Sequence, residues 1–336
     1  MVPSREGRTP RPFFMTTGNK KVPHESPPPE GEGQGGGISF YPDEESSLTR
    51  RCFLIVNPTS GSYSQKTVDQ IMAGLRDRGL APELMPTGSA ADPALFAARL
   101  CAVETDPLVI VAGGDGTVNG VLNGLVPGKA TLGVVPLGTA NVLARELEIA
   151  SVADALDRLA RGTTRPISVG EIERDGEKRR FLLMAGAGMD GAVVRGVRLS
   201  EKRLIGKGAY LLSALRVLLS WDRSELQVTG GGRSLSCHGV IVCNAAKYGG
   251  NFVLAPEADL FSPGFQVLCI KGGRLAYLKL GLTLLSGRGA PSRELTSFAA
   301  TELELSGEKA VQLDGDYFCR TPLRIRTLPE LVRLVV

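Results

Sequence analysis

The sequence has few of the residues on which several common protein functions depend. Only 5% of its 336 residues are aromatic and the formal net charge is +4, so neither base stacking nor a strongly basic surface supports nucleic-acid binding. Two histidines, His24 and His238, leave little material for a histidine-based catalytic triad. The six cysteines include no C-x-x-C pair, which argues against a zinc site or a disulfide framework. We therefore expect no nucleic-acid partner.

Long apolar runs and targeting segments are also missing. No uninterrupted stretch of about 20 apolar residues occurs, so no membrane-spanning helix is predicted. The N-terminus carries Arg5, Arg8 and Arg11 without the apolar core of a secretory signal. These features predict a cytoplasmic protein.

Composition divides the chain into three parts. Residues 1–48 are rich in Pro, Gly, Glu and Ser and predict a disordered tail, because they bury too little apolar surface to offset their ordering entropy. Over residues 49–164 short apolar strands alternate with helices, which predicts an α/β domain with a doubly wound parallel sheet. Residues 165–336 hold β-type segments and glycine turns, so we predict a second, mainly antiparallel β-sandwich domain with a helical insert near 190–221. Its predicted strands are 167–173, 180–185, 225–229, 238–244, 265–270, 300–305, 309–313, 323–327 and 331–336.

The strongest functional pattern is a glycine loop after an apolar strand. The run Val109–Ala112 leads into Gly113-Gly114-Asp115-Gly116-Thr117, and a segment of helical periodicity follows. Strand, glycine loop and helix together aim backbone N–H groups at an anion, and glycine permits a close approach. Asp115 would repel a phosphate unless a Mg²⁺ ion bridges the charges or the carboxylate has a hydrogen-bonding role. A tight turn without a ligand is the alternative interpretation.

Other polar segments follow neighbouring strands of the same predicted sheet. They are Asn57–Gly61, Thr87 and Pro136–Asn141. Ligands of doubly wound sheets bind beyond the carboxyl ends of the strands, so we expect these segments to meet the glycine loop at one edge. For Thr139 and Asn141 a plain helix N-cap is the alternative.

Two features of the second half also suggest ligand contacts. Gly186-Ala-Gly188-Met-Asp190-Gly191 fits G-x-G-x-x-G but lacks a clear β-α-β unit, so we interpret it as a substrate-contacting turn with Asp190 as its reactive group. The insert joins a basic run to an apolar segment at 209–221. It predicts either a buried core helix beside a solvated charged face or a surface that contacts anionic lipid. The basic residues are Arg195, Arg198, Lys202, Arg203 and Lys207.

Taken in order, these motifs resemble the diacylglycerol kinase catalytic-domain superfamily, the bacterial lipid kinases and sphingosine kinases included. Residues 57–61 are similar to its N-P-x-S-G loop, residues 113–117 to its G-G-D-G-T signature, and residues 136–145 to its P-x-G-T-x-N-x-x-A-R block. Residues 186–190 are similar to its G-x-G-x-D turn, and residues 313–316 to its terminal D-G-E. The resemblance covers roughly residues 50–336.

The resemblance implies an ATP-dependent lipid kinase with a cleft between a nucleotide domain and a β-sandwich domain. It implies Asp314 as the general base, Asp190 as a contact of the lipid substrate, and Asp115 and Asp316 as ligands of Mg²⁺. A lipid substrate at the membrane surface further implies transient association with the inner face of the membrane, and a homodimer is left open. The implied ATP-binding residues are Asn57, Pro58, Thr59, Ser60, Gly61, Thr87, Gly113, Gly114, Asp115, Gly116, Thr117, Gly138 and Thr139.

Three positions depart from the family pattern. Gly120 stands where the family usually has Glu, Asp316 replaces the Glu of D-G-E, and Ser262-Pro263-Gly264 replaces an acidic turn that carries a structural Mg²⁺ in some members. Two other functions are therefore alternatives: an NAD kinase-like enzyme, which shares G-G-D-G-T, and a non-catalytic nucleotide- and membrane-binding protein. The 136–145 block and the apolar insert argue against the first. The retained Asp115, Asp314 and Asp316 argue against the second.

Overall fold

The first half of the chain builds a parallel sheet from short buried strands. The computed structural model describes residues 50–198, 208–220, 222–285 and 295–336; the predicted tail, and the basic residues at 202, 203 and 207, lie outside these ranges. The elements of this half are β1 Arg50–Val56, α1 Gln65–Arg76, β2 Leu80–Pro86, α2 Asp92–Val103, β3 Leu108–Gly113, α3 Asp115–Gly124, β4 Thr131–Pro136, α4 Val142–Glu146 and α5 Val152–Arg161.

Strands β1 to β4 lie in the order β2-β1-β3-β4, and all neighbours are parallel. All six residues of β3 are buried, as expected for a strand with helices on both faces of the sheet. Helix α1 begins after Ser64, whose side chain accepts a 3.1 Å hydrogen bond from the N–H of Thr67. The carboxyl ends of these strands therefore share one edge, at which the polar segments predicted from the sequence emerge.

The second half is mainly antiparallel. Its elements are β5 Thr164–Arg174, β6 Glu177–Phe181, β7 Met184–Ala187, α6 Met189–Gly196, α7 Gly208–Leu219, β8 Leu226–Gly230, β9 Arg233–Cys237, β10 Gly239–Cys243, β11 Lys247–Tyr248, β12 Phe252–Val253, β13 Phe265–Ile270, α8 Arg274–Leu285, β14 Leu295–Ala300, β15 Glu302–Ser306, β16 Ala310–Leu313, β17 Asp316–Arg320 and β18 Leu323–Val335.

One sheet runs through both halves. Strand β18 pairs in parallel with β4 and antiparallel with β5 and β15, so the parallel strands continue as β4-β18-β15-β8-β9. A second sheet has the order β14-β13-β10-β7-β16-β17. The two sheets enclose a buried core in which the rings of Phe181 and Phe265 stack with centroids 5.7 Å apart. The predicted α/β-plus-β fold class is confirmed.

Several element boundaries differ from the predicted ones for local reasons. The predicted strand 180–185 is interrupted between Phe181 and Met184, because backbone N–H groups there donate to the carboxylate of Asp314. The two predicted strands at the C-terminus form the single strand β18, with a register shift between Leu328 and Val332. Helix α8 was not predicted, because the apolar residues in its sequence do not recur with a helical period.

The insert contains α6 and α7, and α7 is not a buried core helix. Its small residues face inward: Ala209 and Ser213 are buried, and the Ser213 hydroxyl donates to the carbonyl of Val193 on α6 at 2.7 Å. Leu211, Leu215 and Leu219 recur every fourth residue and are 75%, 54% and 72% exposed. We call these three the leucine face of α7. Within the described part of the chain, no helix has both the length and the apolar character needed to cross a bilayer.

Candidate active site

The loop after β1 is bonded to the first turn of α3. The side-chain N–H of Asn57 donates to Oγ1 of Thr117 at 3.0 Å. The Oδ1 atom of Asn57 accepts from the backbone N–H and the hydroxyl of Thr59, at 2.9 and 2.8 Å, which closes an Asx turn. The structure thus brings two of the predicted segments, 57–61 and 113–117, into direct contact.

The loops after β3 and β4 also touch each other. The N–H groups of Leu137 and Gly138 both donate to the carbonyl of Gly113, at 2.9 and 3.2 Å. A Cβ atom on Gly138 would lie 2.4 Å from the Cα atom of Gly114, and a Cβ atom on Gly61 would lie 2.9 Å from Oγ1 of Thr139. Only glycine permits this closeness, and the N-terminus of α3 lies directly behind it. The three loops form one cradle.

Asn141 presents an unsatisfied acceptor in this cradle. It has a left-handed backbone with φ of 47°, and its side-chain N–H donates to the carbonyl of Gly138 at 2.8 Å. Its Oδ1 atom is buried and has no hydrogen-bond partner within the described residues. A buried acceptor of this kind favours a ligand that donates a hydrogen bond.

Thr87 and the residues after it lie at the same edge, beyond β2. The N–H of Thr87 donates to the carbonyl of Val56 at 2.8 Å. The following turn is closed by Asp92, whose carboxylate accepts from the hydroxyl and N–H of Ser89 and the N–H of Gly88 at 2.6 to 2.9 Å. The bonds from Ser89 and Gly88 hold the pKa of Asp92 below its usual value.

Asp115 has the hydrogen-bonding role that the sequence left as one of two options. Its two carboxylate oxygens accept from the N–H groups of Val142 and Leu143, each at 3.0 Å. These are the first residues of α4, so a negative charge lies at a helix N-terminus, where it is stabilising. Each oxygen keeps one further acceptor position.

The carboxylate of Asp314 is surrounded by donors. Its Oδ1 atom accepts from the N–H groups of Leu183 and Met184 at 2.8 and 2.9 Å. Its Oδ2 atom accepts from the N–H of Leu182 at 2.7 Å and from the side-chain N–H of Asn119 on α3. Burial raises the pKa of Asp314, and the four donors oppose that shift. All four acceptor positions of the carboxylate are therefore used.

Asp316 contrasts with Asp314 because it is exposed. It begins β17, and its Oδ2 atom would lie 3.7 Å from a Cβ atom built on Gly116. The turn that holds Asp314 and Asp316 thus comes from the antiparallel half of the molecule and reaches the glycine loop. The two carboxylates predicted as base and metal ligand lie beside the predicted nucleotide loop.

Asp190 lies in the first turn of α6 and is half-buried. Its Oδ1 atom accepts from the hydroxyl of Tyr248, and its Oδ2 atom accepts from the side-chain N–H of Gln312 at 2.7 Å. Burial raises the pKa of Asp190, and both hydrogen bonds oppose that shift. The predicted lipid contact of Asp190 stays a prediction; the structure shows that both its oxygens already have protein partners.

Several polar residues that tie the two halves together were missed by sequence reasoning. Glu146 on α4 accepts from the N–H groups of Ala246 and Lys247, each at 3.0 Å. The N–H of Arg180 donates to Asn123 Oδ1 at 2.8 Å, and its guanidinium donates to the carbonyl of Leu125 at 2.7 Å, beyond the end of α3. The signal in the sequence that could have identified these contacts was the pair of amides in α3, Asn119 and Asn123, which lie one turn apart.

The structure describes the surroundings of two of the departures from the family pattern. A Cβ atom on Gly120 would lie 3.0 Å from Cβ of Pro93, so α2 occupies the space of a larger side chain. In the 259–264 turn, Asp259 accepts from the N–H of Phe261 and the hydroxyl of Ser262, each at 3.0 Å. Over the described ranges, no group of three or more His, Cys, Asp or Glu side chains is arranged to hold a metal ion.

Comparison with known families agrees with this arrangement. Residues 51–172 match the diacylglycerol kinase catalytic domain, and residues 184–336 match the YegS C-terminal NAD kinase beta sandwich-like domain. Together with glycine loops at the edge of a parallel sheet, these matches define the class of the protein as a kinase. More particularly, the chain belongs to the diacylglycerol kinase family, because it is 30% identical to a known diacylglycerol kinase over 80% of its length.

Individual relatives extend over most of the chain. The diacylglycerol kinase of Bacillus subtilis strain 168 is 30% identical over 278 residues, which is 80% of this chain and 90% of that protein. The diacylglycerol kinase of Staphylococcus saprophyticus is 26% identical over 80% of this chain and 92% of that protein. A solved diacylglycerol kinase structure from Bacillus anthracis has the same fold, with a TM-score of 0.64 at 20% identity over 85% of this chain and 96% of that one.

Proposed function

We propose that this protein is an ATP-dependent lipid kinase that transfers the γ-phosphoryl group to a hydroxyl of diacylglycerol or a related lipid. The observation that carries the proposal is the approach of the 314–316 turn to the glycine loop, with Asp316 close to Gly116. Phosphoryl transfer depends on positioning and on neutralising charge, and this approach places carboxylates beside a phosphate-type cradle. The name of the Bacillus subtilis relative supports the substrate class.

ATP is proposed to bind against the cradle formed by residues 57–61, 113–117 and 138–139, with Thr87 at its side. The close contacts of Gly61, Gly114 and Gly138 favour backbone that approaches a phosphate chain. The unsatisfied Oδ1 atom of Asn141 offers an acceptor to a donor group of the nucleotide. These residues fit a nucleoside triphosphate.

The residues also fit a Mg²⁺ ion that is held mainly by the nucleotide. Mg²⁺ in kinases is typically bound by one or two carboxylates together with phosphate oxygens. Asp316 is exposed beside the glycine loop, and Asp115 keeps acceptor positions beyond its two backbone bonds. A Mg²⁺ ion bound there would neutralise phosphate charge during transfer.

Asp314 is proposed as the base that takes the proton of the lipid hydroxyl. Because all four acceptor positions are used, this role requires one donor to give way, and Asn119 is the only side chain among the four. Asp316 is the competing residue, since it is exposed at the other end of the same turn. A general base contributes about 10²–10⁴-fold to rate, so kinetics distinguish the two.

The lipid is proposed to enter from a membrane surface that α7 and α8 contact. Leu275 and Leu278 of α8 are also exposed, by 70% and 50%. Exposed leucines on helices beside a lipid-modifying site are suited to the interfacial layer of a bilayer, into which an apolar helix face inserts. This supports transient association of a cytoplasmic protein with the inner face of the membrane.

The test is incubation of purified protein with labelled ATP, Mg²⁺ and separate acceptors. The acceptors are diacylglycerol and other lipid alcohols in mixed vesicles, and NAD⁺ in solution. Labelled phospholipid that requires both the protein and Mg²⁺ would support the proposal. Labelled NADP⁺ instead would support the NAD kinase-like alternative. The matched C-terminal domain is described as NAD kinase beta sandwich-like, so this alternative is included in the test. ATP binding without a phosphorylated acceptor would support the non-catalytic alternative.

A further inference from the structure

We propose that Gln312 is a positioning residue that links the half-buried carboxylate of Asp190 to the turn carrying Asp314 and Asp316. Through this link, the lipid-binding half of the molecule sets the orientation of the turn at the glycine loop. The inference deepens the proposed lipid kinase function and rests on it for its kinetic consequences. The link itself depends only on the two hydrogen bonds of the Gln312 side chain.

The side-chain amide of Gln312 is bonded at both ends. Its N–H donates to Oδ2 of Asp190 at 2.7 Å, and its Oε1 atom accepts from the backbone N–H of Gly315 at 2.7 Å. A carboxylate accepts and a backbone N–H donates, so each bond requires the same orientation of the amide. Gln312 is buried in β16, three residues before Gly315. The geometry leaves the amide one arrangement.

Asp190 is a fixed end of this link. Gln312 lies opposite Gly186 on the neighbouring strand β7, and a Cβ atom on Gly186 would lie 1.8 Å from Oδ2 of Asp190. The carboxylate therefore lies directly on glycine backbone. On its other side it accepts from the hydroxyl of Tyr248 on β11. Both oxygens have a partner, which fixes the direction in which Gln312 must donate.

The groups that face Asp190 do not compete with Gln312 as charged partners. Three titratable side chains lie near the Asp190 carboxylate: Tyr248, Cys243 and Tyr277. Burial raises the pKa of each of them, and the negative charge of Asp190 raises it further. All three are therefore neutral at pH 7. Among the described residues, the hydrogen bonds of Tyr248 and Gln312 are the ones that favour the ionised carboxylate.

The turn at residues 314–316 depends on its hydrogen bond with Gln312. Asp314 and Gly315 both have a left-handed backbone, with φ of 48° and 91°, and the turn projects toward the glycine loop. The N–H of Asp314 donates to the carbonyl of Met184 at 3.0 Å, and the N–H of Gly315 donates to Gln312. Without Gln312 the segment between the two carboxylates loses the side-chain acceptor to which Gly315 donates, so Asp316 loses a defined approach to Gly116.

Two substitutions separate positioning from bulk stability. Gln312→Leu preserves size but removes both hydrogen bonds. Gln312→Glu preserves the acceptor for Gly315 and places a second carboxylate against Asp190. Two carboxylates in contact strongly raise the pKa of one of them, so the pair re-forms the Asp190 bond only while it shares a proton. The Glu variant should therefore approach wild-type activity at acidic pH and lose activity as the pH rises.

A matched control is available in the same sheet. Gln266 on β13 is also buried and also bonded at both ends, donating to Ser297 Oγ at 3.0 Å and accepting from the N–H of Glu257 at 2.9 Å. Gln266→Leu should lower the urea midpoint as Gln312→Leu does, because each buries unsatisfied groups. Only Gln312→Leu should reduce kcat, by about tenfold or more, which is the scale of loss when an orienting residue is removed.

The experiment measures steady-state kinetics and amide hydrogen exchange on the full chain. For Gln312→Leu we expect lower kcat, unchanged KM for ATP and lipid, and faster exchange at Gly315; for Gln312→Glu we expect the acid-shifted pH profile. Equal kcat losses in the Gln266 and Gln312 variants, or a Glu variant with the wild-type pH profile, would overturn the inference. If the wild-type protein phosphorylates no lipid, the proposed function fails, and exchange still decides the link: unchanged exchange at Gly315 in Gln312→Leu refutes it.

Discussion

Replacing Asp314 by Asn is expected to weaken the fold as well as the reaction. The carboxylate accepts four hydrogen bonds, from the N–H groups of Leu182, Leu183 and Met184 and from Asn119. An amide offers one oxygen, so its NH₂ group must face two of these donors. Each donor left unsatisfied costs about 1–3 kcal/mol, which gives a loss of about 2–6 kcal/mol. A protein whose unfolding free energy is about 5–15 kcal/mol would lose a large share of it.

Asp316→Asn provides the contrast within the same turn. Asp316 is exposed, and exposed substitutions away from such networks change stability little. Urea denaturation should therefore show a lower midpoint for Asp314→Asn and an unchanged midpoint for Asp316→Asn. Asp175→Asn is the backbone control, because Asp175 also precedes a glycine and also has a left-handed backbone, with φ of 51°.

Kinetics of the same variants then assign the base. If Asp314 takes the proton, folded Asp314→Asn should lose about 10²–10⁴-fold in kcat at saturating lipid, while ATP still binds. If that loss occurs in Asp316→Asn and not in folded Asp314→Asn, the base role belongs to Asp316. An Asp314→Asn protein with the wild-type urea midpoint would refute the inference that four donors depend on this carboxylate.

Three further predictions concern the cradle, the ion pair of Asp222 with Lys309, and the leucine face. Gly138→Ala should reduce ATP affinity in nucleotide titrations, because its Cβ would lie 2.4 Å from Cα of Gly114; unchanged affinity would exclude the close contact. Burial acts to raise the pKa of Asp222, but its bonds with Ser224 and Lys309 outweigh burial and hold that pKa at about 2. This pKa lies below the usual value of about 3.9, so the ionised carboxylate stabilises the fold above pH ~4, and that stabilisation is lost as the pH falls toward 2. The urea midpoint of Asp222→Asn should therefore be lower than the wild-type midpoint above pH ~4. The difference between the two midpoints should shrink as the pH falls toward 2. Replacing the leucine face with serines should reduce binding to lipid vesicles in sedimentation and leave the urea midpoint unchanged; equal vesicle binding would remove α7 from the membrane contact.

The parallel half of the fold was predictable because its local and global preferences agree. Buried β-branched strands such as β3 leave little choice of structure, and Ser64, a residue type that favours helix N-caps, precedes α1. The convergence of the polar loops follows from a general property of parallel sheets. The meeting of these loops at one sheet edge was therefore predictable from the sequence, whereas the distances between them were not.

The antiparallel half was predicted less well because long-range pairing decides its details. Strand β18 joins β4 and β5 only after the chain has completed the second sheet, and its neighbours lie far away in sequence. The break between Phe181 and Met184 exists because Asp314, about 130 residues later, accepts the N–H groups that a strand partner would otherwise take. No local pattern at 180–185 contains that information.

The acid in the glycine loop shows why a motif identifies chemistry more readily than it identifies roles. Asp115 accepts from the first two N–H groups of α4, which follows directly from the 136–141 loop. The glycine loop and the 136–145 block are separate patterns in the sequence, yet one carboxylate joins them into one unit. Asp314 does the same between α3 and the break before β7. Asp115 and Asp314 both accept hydrogen bonds that hold the fold together, and a bound ligand must leave those bonds in place or replace them. Asp316 is exposed, so it is the carboxylate of this site that the fold constrains least.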